Sequence, residues 1–354
     1  MGSSSGTARL FAVATFIVLL ALDAESDHRQ FKQRYYEFLD YFRAPNGPVF
    51  LYICGEATCS GISNSYLAVM AKKFGAALVS PEHRYYGKSS PFESLTTENL
   101  RFLSSKQALF DLAVFRQYYQ ETLNAKYNRT GADNSWFVFG GSYAGALSAW
   151  FRLKFPHLTC GSLASSGVVL AVHNFTDFDK QIGDSAGPEC KEALQEVTRL
   201  VDRQLQSGRN SVKQLFGAST LENDGDFLYL LADAAAIAFQ YGNPDVLCSP
   251  LVEAKKNGTD LVVSLGFVLE CLWYHLDLCR NVFGEGVYPD VFMTNLYYGG
   301  TRIAGDSSKC SPPEALNKVR KKIEGHIDLW LSECQEQGHD KEPSMGNRWN
   351  IATI

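Results

Sequence analysis

Apolar positions follow two rhythms along this chain. Short unbroken apolar runs at Val49–Cys54, Ala76–Ser80 and Trp136–Phe139 suit strands buried on both faces. The aromatic-rich stretch Gln33–Phe42 reads as another strand before the turn Pro45-Asn46-Gly47-Pro48. Between these runs the spacing is helical. It covers Tyr66–Phe74, then Ser105–Tyr127 with Leu109, Leu112, Ala113 and Phe115 on one face, then Ala146–Phe155, closed by Pro156. A further short strand opens at Leu163. Strand and helix in alternation predict an α/β architecture with a parallel sheet and right-handed crossovers. From about Asp179 to Phe283 the rhythm is helical, clearest at Glu192–Leu205 and Phe227–Phe239, and reads as an insertion. Ser311 stands as an N-cap before Pro312-Pro313. Leu316, Val319, Ile323, Ile327, Trp330 and Leu331 then mark an amphipathic helix ending near Cys334. The tail from Gln335 is polar and reads as loose.

Composition narrows the classes. Of 354 residues, 45% are hydrophobic and 20% charged, enough apolar mass for one large elaborated domain. The net charge is −5 and no Lys/Arg block stands out, which argues against nucleic acid as a partner. Arg9 precedes an apolar run from Leu10 to Leu22, broken only by Thr15 and followed by the small Ala24. That run is short for a bilayer span and suits an export leader over residues 1–24; the competing reading is a buried first helix or strand. No later stretch is apolar for long enough to predict stable membrane insertion. Nine cysteines lie without any CxxC spacing, so disulfides are expected rather than zinc, with one sulfur left over. Sequons at Asn128, Asn174 and Asn257 agree with a secretory route, ending outside the cell or in a vacuolar or lysosomal compartment.

The chemistry concentrates at Gly140-Gly141-Ser142-Tyr143-Ala144-Gly145, after a strand and at the start of a helix. That context defines a nucleophile elbow. A serine on so sharp a turn needs small neighbours where helix and strand crowd, and Gly140 and Ala144 meet the need. Ala144 departs from the glycine of G-x-S-x-G. The helix N-terminus favours a developing anion beside Ser142. The Tyr143 amide is the first candidate oxyanion donor, and Gly55-Glu56, after an earlier strand, supply the second. A glycine-rich turn without chemistry is the bland alternative. A phosphate loop is excluded, because no Gly-Lys-Ser/Thr follows.

Four strings carry a family resemblance: GGSYAGALSAWFRLKFPHL from Gly140, SPEHRYYGKS from Ser80, GPVFLYICGEA from Gly47 and NLYYGG from Asn295. Together they resemble the prolyl-carboxypeptidase-like serine peptidases, a family that takes in lysosomal Pro-X carboxypeptidase, dipeptidyl peptidase II and thymus-specific protease. The plant thymus-protease-like members are similar in particular. The resemblance spans roughly Asp27 to Cys334. It implies an α/β-hydrolase fold with an inserted helical cap, divided as 25–178 for the first part of the hydrolase domain, 179–290 for a shortened cap and 291–354 for a C-terminal remnant. It implies a Ser-Asp-His triad in that order and action on peptides, often at proline. No cofactor and no metal is implied, and a homodimer is left open.

This chain departs from the family where two triad loops belong. The family's Asp lies in an NGxxDPW-like loop, and its His in a GxxHCxD-like or CxxCGHG-like loop; neither string occurs here. After Gly300 the chain runs through Thr301–Gly305 straight into Asp306-Ser307-Ser308-Lys309-Cys310, which resembles sequence beyond the family's histidine. Late strands of the sheet are expected to be missing, and a second gap is expected between Asp260 and Tyr274. His157, His173, His275, His326 and His339 follow the elbow, none in a strand-loop context, and His83 precedes it in the EHRYYG loop. The expectation is an exported serine exopeptidase impaired in this version. The alternative is a non-catalytic secreted glycoprotein that keeps the fold and binds peptides.

Overall fold

The computed structural model describes residues 14–23, 26–62, 66–170, 172–173, 175–240, 244–273, 321, 323–329, 331–332 and 351–353. Two compact units are present, residues 1–171 with 313–354 and residues 172–312. The first is built on a seven-stranded sheet: β1 (Ala14–Asp23), β2 (Asp27–Phe38), β3 (Val49–Tyr52), β4 (Ala77–Pro81), β5 (Trp136–Gly141), β6 (Gly161–Ser165) and β7 (Ile351–Thr353). Their spatial order is β1-β2-β4-β3-β5-β6-β7. β1 and β2 pair antiparallel and β2 joins β4 antiparallel; β4, β3, β5, β6 and β7 run parallel. This is an α/β-hydrolase fold.

The central strands are apolar throughout because both faces are covered. Alternation decides which residue meets which layer. Val49 and Leu51 of β3, Ala77 and Val79 of β4, and Trp136 and Val138 of β5 share a core with the helices α3 (Ser105–Lys126) and α4 (Ser142–Lys154). Phe50, Leu78, Phe137 and Phe139 point the other way. They pack with Ala68, Met70, Ala71 and Phe74 of α1 (Tyr66–Phe74) and with Ile327. Helical residues 321, 323–329 and 331–332 lie on that second face, where Glu324 accepts from the Tyr66 hydroxyl at 2.7 Å and pairs with Lys73 at 2.8 Å. The remainder of the stretch from Ser311 falls outside the described residues.

The structure adds to the reading of three stretches. The apolar run read as a leader forms β1 from Ala14 onward, with Val18, Leu20 and Leu22 buried. A run that suits a leader's apolar core also suits a half-buried strand, so the two readings compete for the same residues. The tail read as loose supplies β7, whose Ile351, Ala352 and Thr353 pair with Ser162, Leu163 and Ala164. The edge of β6 is therefore not bare over these residues. The aromatic strand placed at Gln33–Phe42 begins earlier and ends at Phe38, where Phe42 turns back to bond the Leu39 carbonyl at 2.9 Å.

The second unit is helical: α5 (Thr176–Leu215), α6 (Asp224–Gln240), α7 (Pro244–Asn257) and α8 (Leu261–Trp273), in chain order after the short α2 (Thr97–Leu100) and the longer helices of the first unit. α5 breaks at Gly187 and Gly208, and Pro188 opens its second segment. A Cys190–Cys248 disulfide ties α5 to α7. α8 runs unbroken through the stretch between Asp260 and Tyr274.

One buried ion pair fastens the first unit. Arg84 donates from Nε and Nη2 to both carboxylate oxygens of Asp111 on α3, each at 2.6 Å. It also donates to the carbonyls of Leu22, Phe102 and Ala21 at 2.8, 2.9 and 3.1 Å. Both side chains are within 5% of full burial. Removing one partner strands the other charge. Asp111→Ala is expected to lower stability by about 3–5 kcal/mol in urea unfolding; a loss under about 1 kcal/mol would show that Arg84 finds other compensation.

Candidate active site

The elbow is set by backbone crowding. β5 ends in Gly140-Gly141 and α4 begins at Ser142, whose φ is +55°. A non-glycine residue there is strained by roughly 1–3 kcal/mol and persists only where its surroundings over-determine it. They do so here. A Cβ on Gly140 would lie 2.0 Å from the Ala144 carbonyl oxygen, and one on Gly145 would lie 2.9 Å from that of Ser165. Gly141 is different: it is extended at φ −120°, ψ 149°, and a Cβ there would meet nothing closer than 3.9 Å. The Ala144 methyl has room, 3.7 Å from where a Gly55 Cβ would sit. That clearance explains why alanine is tolerated in place of the motif's glycine.

Ser142 is exposed at the N-terminus of α4, and Gly141 brings no side-chain cap. The first amides of α4 are therefore free of a capping side chain, and the helix dipole adds positive potential beside the serine. Tyr143 belongs to this first turn. Gly55 packs against Ala144, in the loop that follows β3. Glu56 is exposed on the same loop. The structure thus brings Ser142, Tyr143, Gly55 and Glu56 to one end of the sheet.

A Cys54–Cys59 disulfide closes this loop, and Glu82 anchors its far end. The Glu82 carboxylate is wholly buried. It accepts from the Cys59 amide at 3.1 Å, the Lys88 amide at 2.9 Å and the Ser89 hydroxyl at 2.7 Å, and it pairs with Arg34. A Cβ on Gly87, φ +62°, would fall 2.0 Å from the Glu82 Oε1, so only glycine fits there. Nothing in the apolar rhythm pointed to Glu82 or Arg34; the EHRYYG string was the available signal.

No described residue completes a triad. Among the described residues no side chain is hydrogen-bonded to the Ser142 hydroxyl. His157 is exposed in a turn beyond the far end of α4, about 20 Å along the helix from Ser142. His326 lies among the helical residues on the α1 face, the opposite face to α4. His173 is exposed in the second unit. His275 and His339 lie outside the described residues, as do Asp306 and the stretch around it. His83 is buried, with its Nε2 3.0 Å from the Tyr143 hydroxyl and not on the serine. Of the sequon asparagines, Asn128 and Asn257 are exposed, and Asn174 lies outside the described residues.

The contrast between the two elbow glycines is testable. Gly140→Ala is expected to destabilise by at least about 2–3 kcal/mol, because backbone must move to admit the methyl. Gly141→Ala is expected to stay within about 0.5 kcal/mol. Equal losses in thermal unfolding would show that the crowding is not where the geometry puts it.

Comparison with known proteins supplies the family. The Serine carboxypeptidase S28 family matches residues 22–252. The probable serine protease EDA2 of Arabidopsis thaliana is 49% identical over an alignment of 430 positions, covering 89% of this chain and 88% of that one. An alignment of 430 positions cannot be filled by 354 residues, so it holds stretches of the Arabidopsis protein with no counterpart here. The human thymus-specific serine protease is 38% identical over 192 residues, covering 52% of this chain and 36% of its own length. The bovine lysosomal Pro-X carboxypeptidase is 34% identical over 197 residues, covering 51% and 37%. These last two matches span little more than a third of either relative. Among solved structures, the thioesterase domain from the curacin biosynthetic pathway aligns over 56% of this chain and 61% of its own, with 14% identity and a TM-score of 0.32. On the matched residues and the Arabidopsis alignment, this chain belongs to the Serine carboxypeptidase S28 family of serine peptidases.

Proposed function

We propose that Ser142 is the acylating nucleophile of an exported serine exopeptidase lineage, and that this chain turns peptides over poorly. The observation that carries the reading is the positive φ of Ser142, held between β5 and α4. In acyl transfer the serine oxygen attacks a peptide carbonyl, and the oxyanion that forms takes hydrogen bonds from preorganised amides. The Tyr143 amide and the Gly55-Glu56 loop are the proposed donors. The attack also needs a base to take the hydroxyl proton, because a free serine hydroxyl is a poor nucleophile near neutral pH. The base in turn needs a carboxylate to hold its tautomer. Loss of a triad member leaves about 10³–10⁴-fold over water. The absent NGxxDPW-like and histidine loops, and the unmatched stretches of the Arabidopsis alignment, support impairment. Peptides containing proline are the proposed substrates, in line with the name of the bovine relative.

A second reading is a non-catalytic glycoprotein that binds peptides at the same edge of the sheet. It is favoured by the lack, among the described residues, of any partner for the Ser142 hydroxyl.

Two measurements bear on these readings. A fluorophosphonate probe is expected to label this chain slowly and Ser142→Ala not at all; no labelling of either chain supports the binding protein. Turnover of proline-containing peptides is expected near background, and to rise when the stretches present in the Arabidopsis relative are restored. Equal turnover in the two chains, abolished by Ser142→Ala, would show that a histidine already present serves as base.

The secretory route is proposed from the leader-like run, the sequons and the extracellular or lysosomal names of relatives. Secreted material is expected to begin near Ala24 and to carry glycans on at least two of Asn128, Asn174 and Asn257. Such cleavage would leave β2 as the edge strand and take the Leu22 and Ala21 carbonyls from Arg84. Intact mass decides the point: an uncleaved, unglycosylated chain would overturn it.

A further inference from the structure

His83 is a buried imidazole that the acyl-transfer reading does not use. Its Nδ1 lies 2.8 Å from the Arg84 carbonyl, and a carbonyl only accepts. Nδ1 therefore carries the proton and Nε2 is bare. Burial takes the imidazole down to about pKa 4, so the ring is neutral. The Tyr143 hydroxyl is 3.0 Å from Nε2 and must be the donor. Burial pushes that phenol up to about 12, which keeps its proton in place.

His83 is itself a fixed post. The carboxylate of Glu82 before it holds four donors, and the Arg84 after it is held by Asp111. The His83 ring packs against Tyr86 at 5.1 Å and Tyr143 at 5.5 Å between centroids. Tyr143 follows the strained serine directly. One end of this residue is tied to His83, and the other carries the amide offered to the oxyanion. A rotation of Ser142 out of its positive φ would swing Tyr143 off the imidazole.

We propose that His83 is a positioning residue: by accepting the Tyr143 hydroxyl, it fixes the direction of the Tyr143 amide beside Ser142. This rests on the reading of Ser142 as nucleophile and the Tyr143 amide as oxyanion donor. His83 touches neither substrate nor the reacting oxygen, and acts only through the tyrosine.

The test uses the full chain with Tyr143→Phe, His83→Leu, His83→Gln and the double variant Tyr143→Phe/His83→Leu. Fluorophosphonate labelling of Tyr143→Phe is expected to slow about tenfold, the equivalent of one hydrogen bond, with its unfolding temperature little changed. The double variant should label no slower than His83→Leu alone, since both changes remove one interaction. His83→Gln keeps an acceptor and should recover most of the rate. Wild-type labelling by Tyr143→Phe, or additive losses in the double variant, would overturn the proposal. If the wild-type chain does not label, the nucleophile reading fails by itself. Positioning is then judged by the order parameter of the residue 143 amide in uniformly ¹⁵N-labelled chains. It should fall in Tyr143→Phe from about 0.85 toward 0.6, and an unchanged value rejects the proposal.

Discussion

The elbow edge of the sheet depends on one buried carboxylate. Glu82 sits at full burial among donors that come from three separate segments: Arg34 of β2, the Cys59 amide at the end of the loop after β3, and Lys88 with Ser89 in the loop after β4. An ionised carboxylate taken from water without partners costs many kcal/mol, so the donors must be in place for the chain to fold at all. Charge-assisted bonds are also stronger and more directional than neutral ones. The same constraint reaches the backbone, since Gly87 must lack a side chain to leave room for the Glu82 oxygen. A loop of four residues between two cysteines would otherwise have little to fix its angle against the elbow. Gln33, donating to the Glu82 carbonyl at 2.7 Å, and the Tyr36 hydroxyl, donating to the Cys59 carbonyl at 2.9 Å, extend the brace along β2.

Much of this architecture was legible in the order of residues, for reasons that differ by element. β3, β4 and β5 are short apolar runs because helices cover both faces, and a two-sided burial leaves an unmistakable trace. α3 showed its buried stripe. The elbow was legible because crowding leaves few choices: Gly140 and Gly145 have no alternative, and their spacing around a serine is visible by eye. What could not be read was set by contacts distant in sequence. Glu82 looks like any surface acid until Arg34 and Cys59 are folded against it. Asp111 looks like a polar position on a helix until Arg84 reaches it. β7 carries three unremarkable residues whose strand character comes from pairing with β6. β1 shows the limit of periodicity, because an apolar run satisfies a leader and a buried strand equally.

In the proposed reading, binding and turnover come apart for a structural reason. The groups that hold Ser142 in its strained turn are all local to the sheet: Gly140, Ala144 and Gly145, the Ser165 carbonyl and Gly167 at the end of β6, and Gly55 after β3. None belongs to the loops that the family uses for its Asp and His. Loss of those loops, as proposed, would remove the proton acceptor without releasing the serine. A strained conformation maintained by close backbone packing has no cheaper state to relax into. The helix dipole and the free amides at the start of α4 are equally independent of the missing loops. A site of this kind keeps its attraction for a carbonyl oxygen while its hydroxyl stays a poor nucleophile. On that proposal, stoichiometric acylation by a reactive electrophile, whose leaving group needs no general acid, would survive in a chain that releases peptide products slowly. The geometry of the elbow reports where the chemistry of the family occurs, and the base decides whether it turns over.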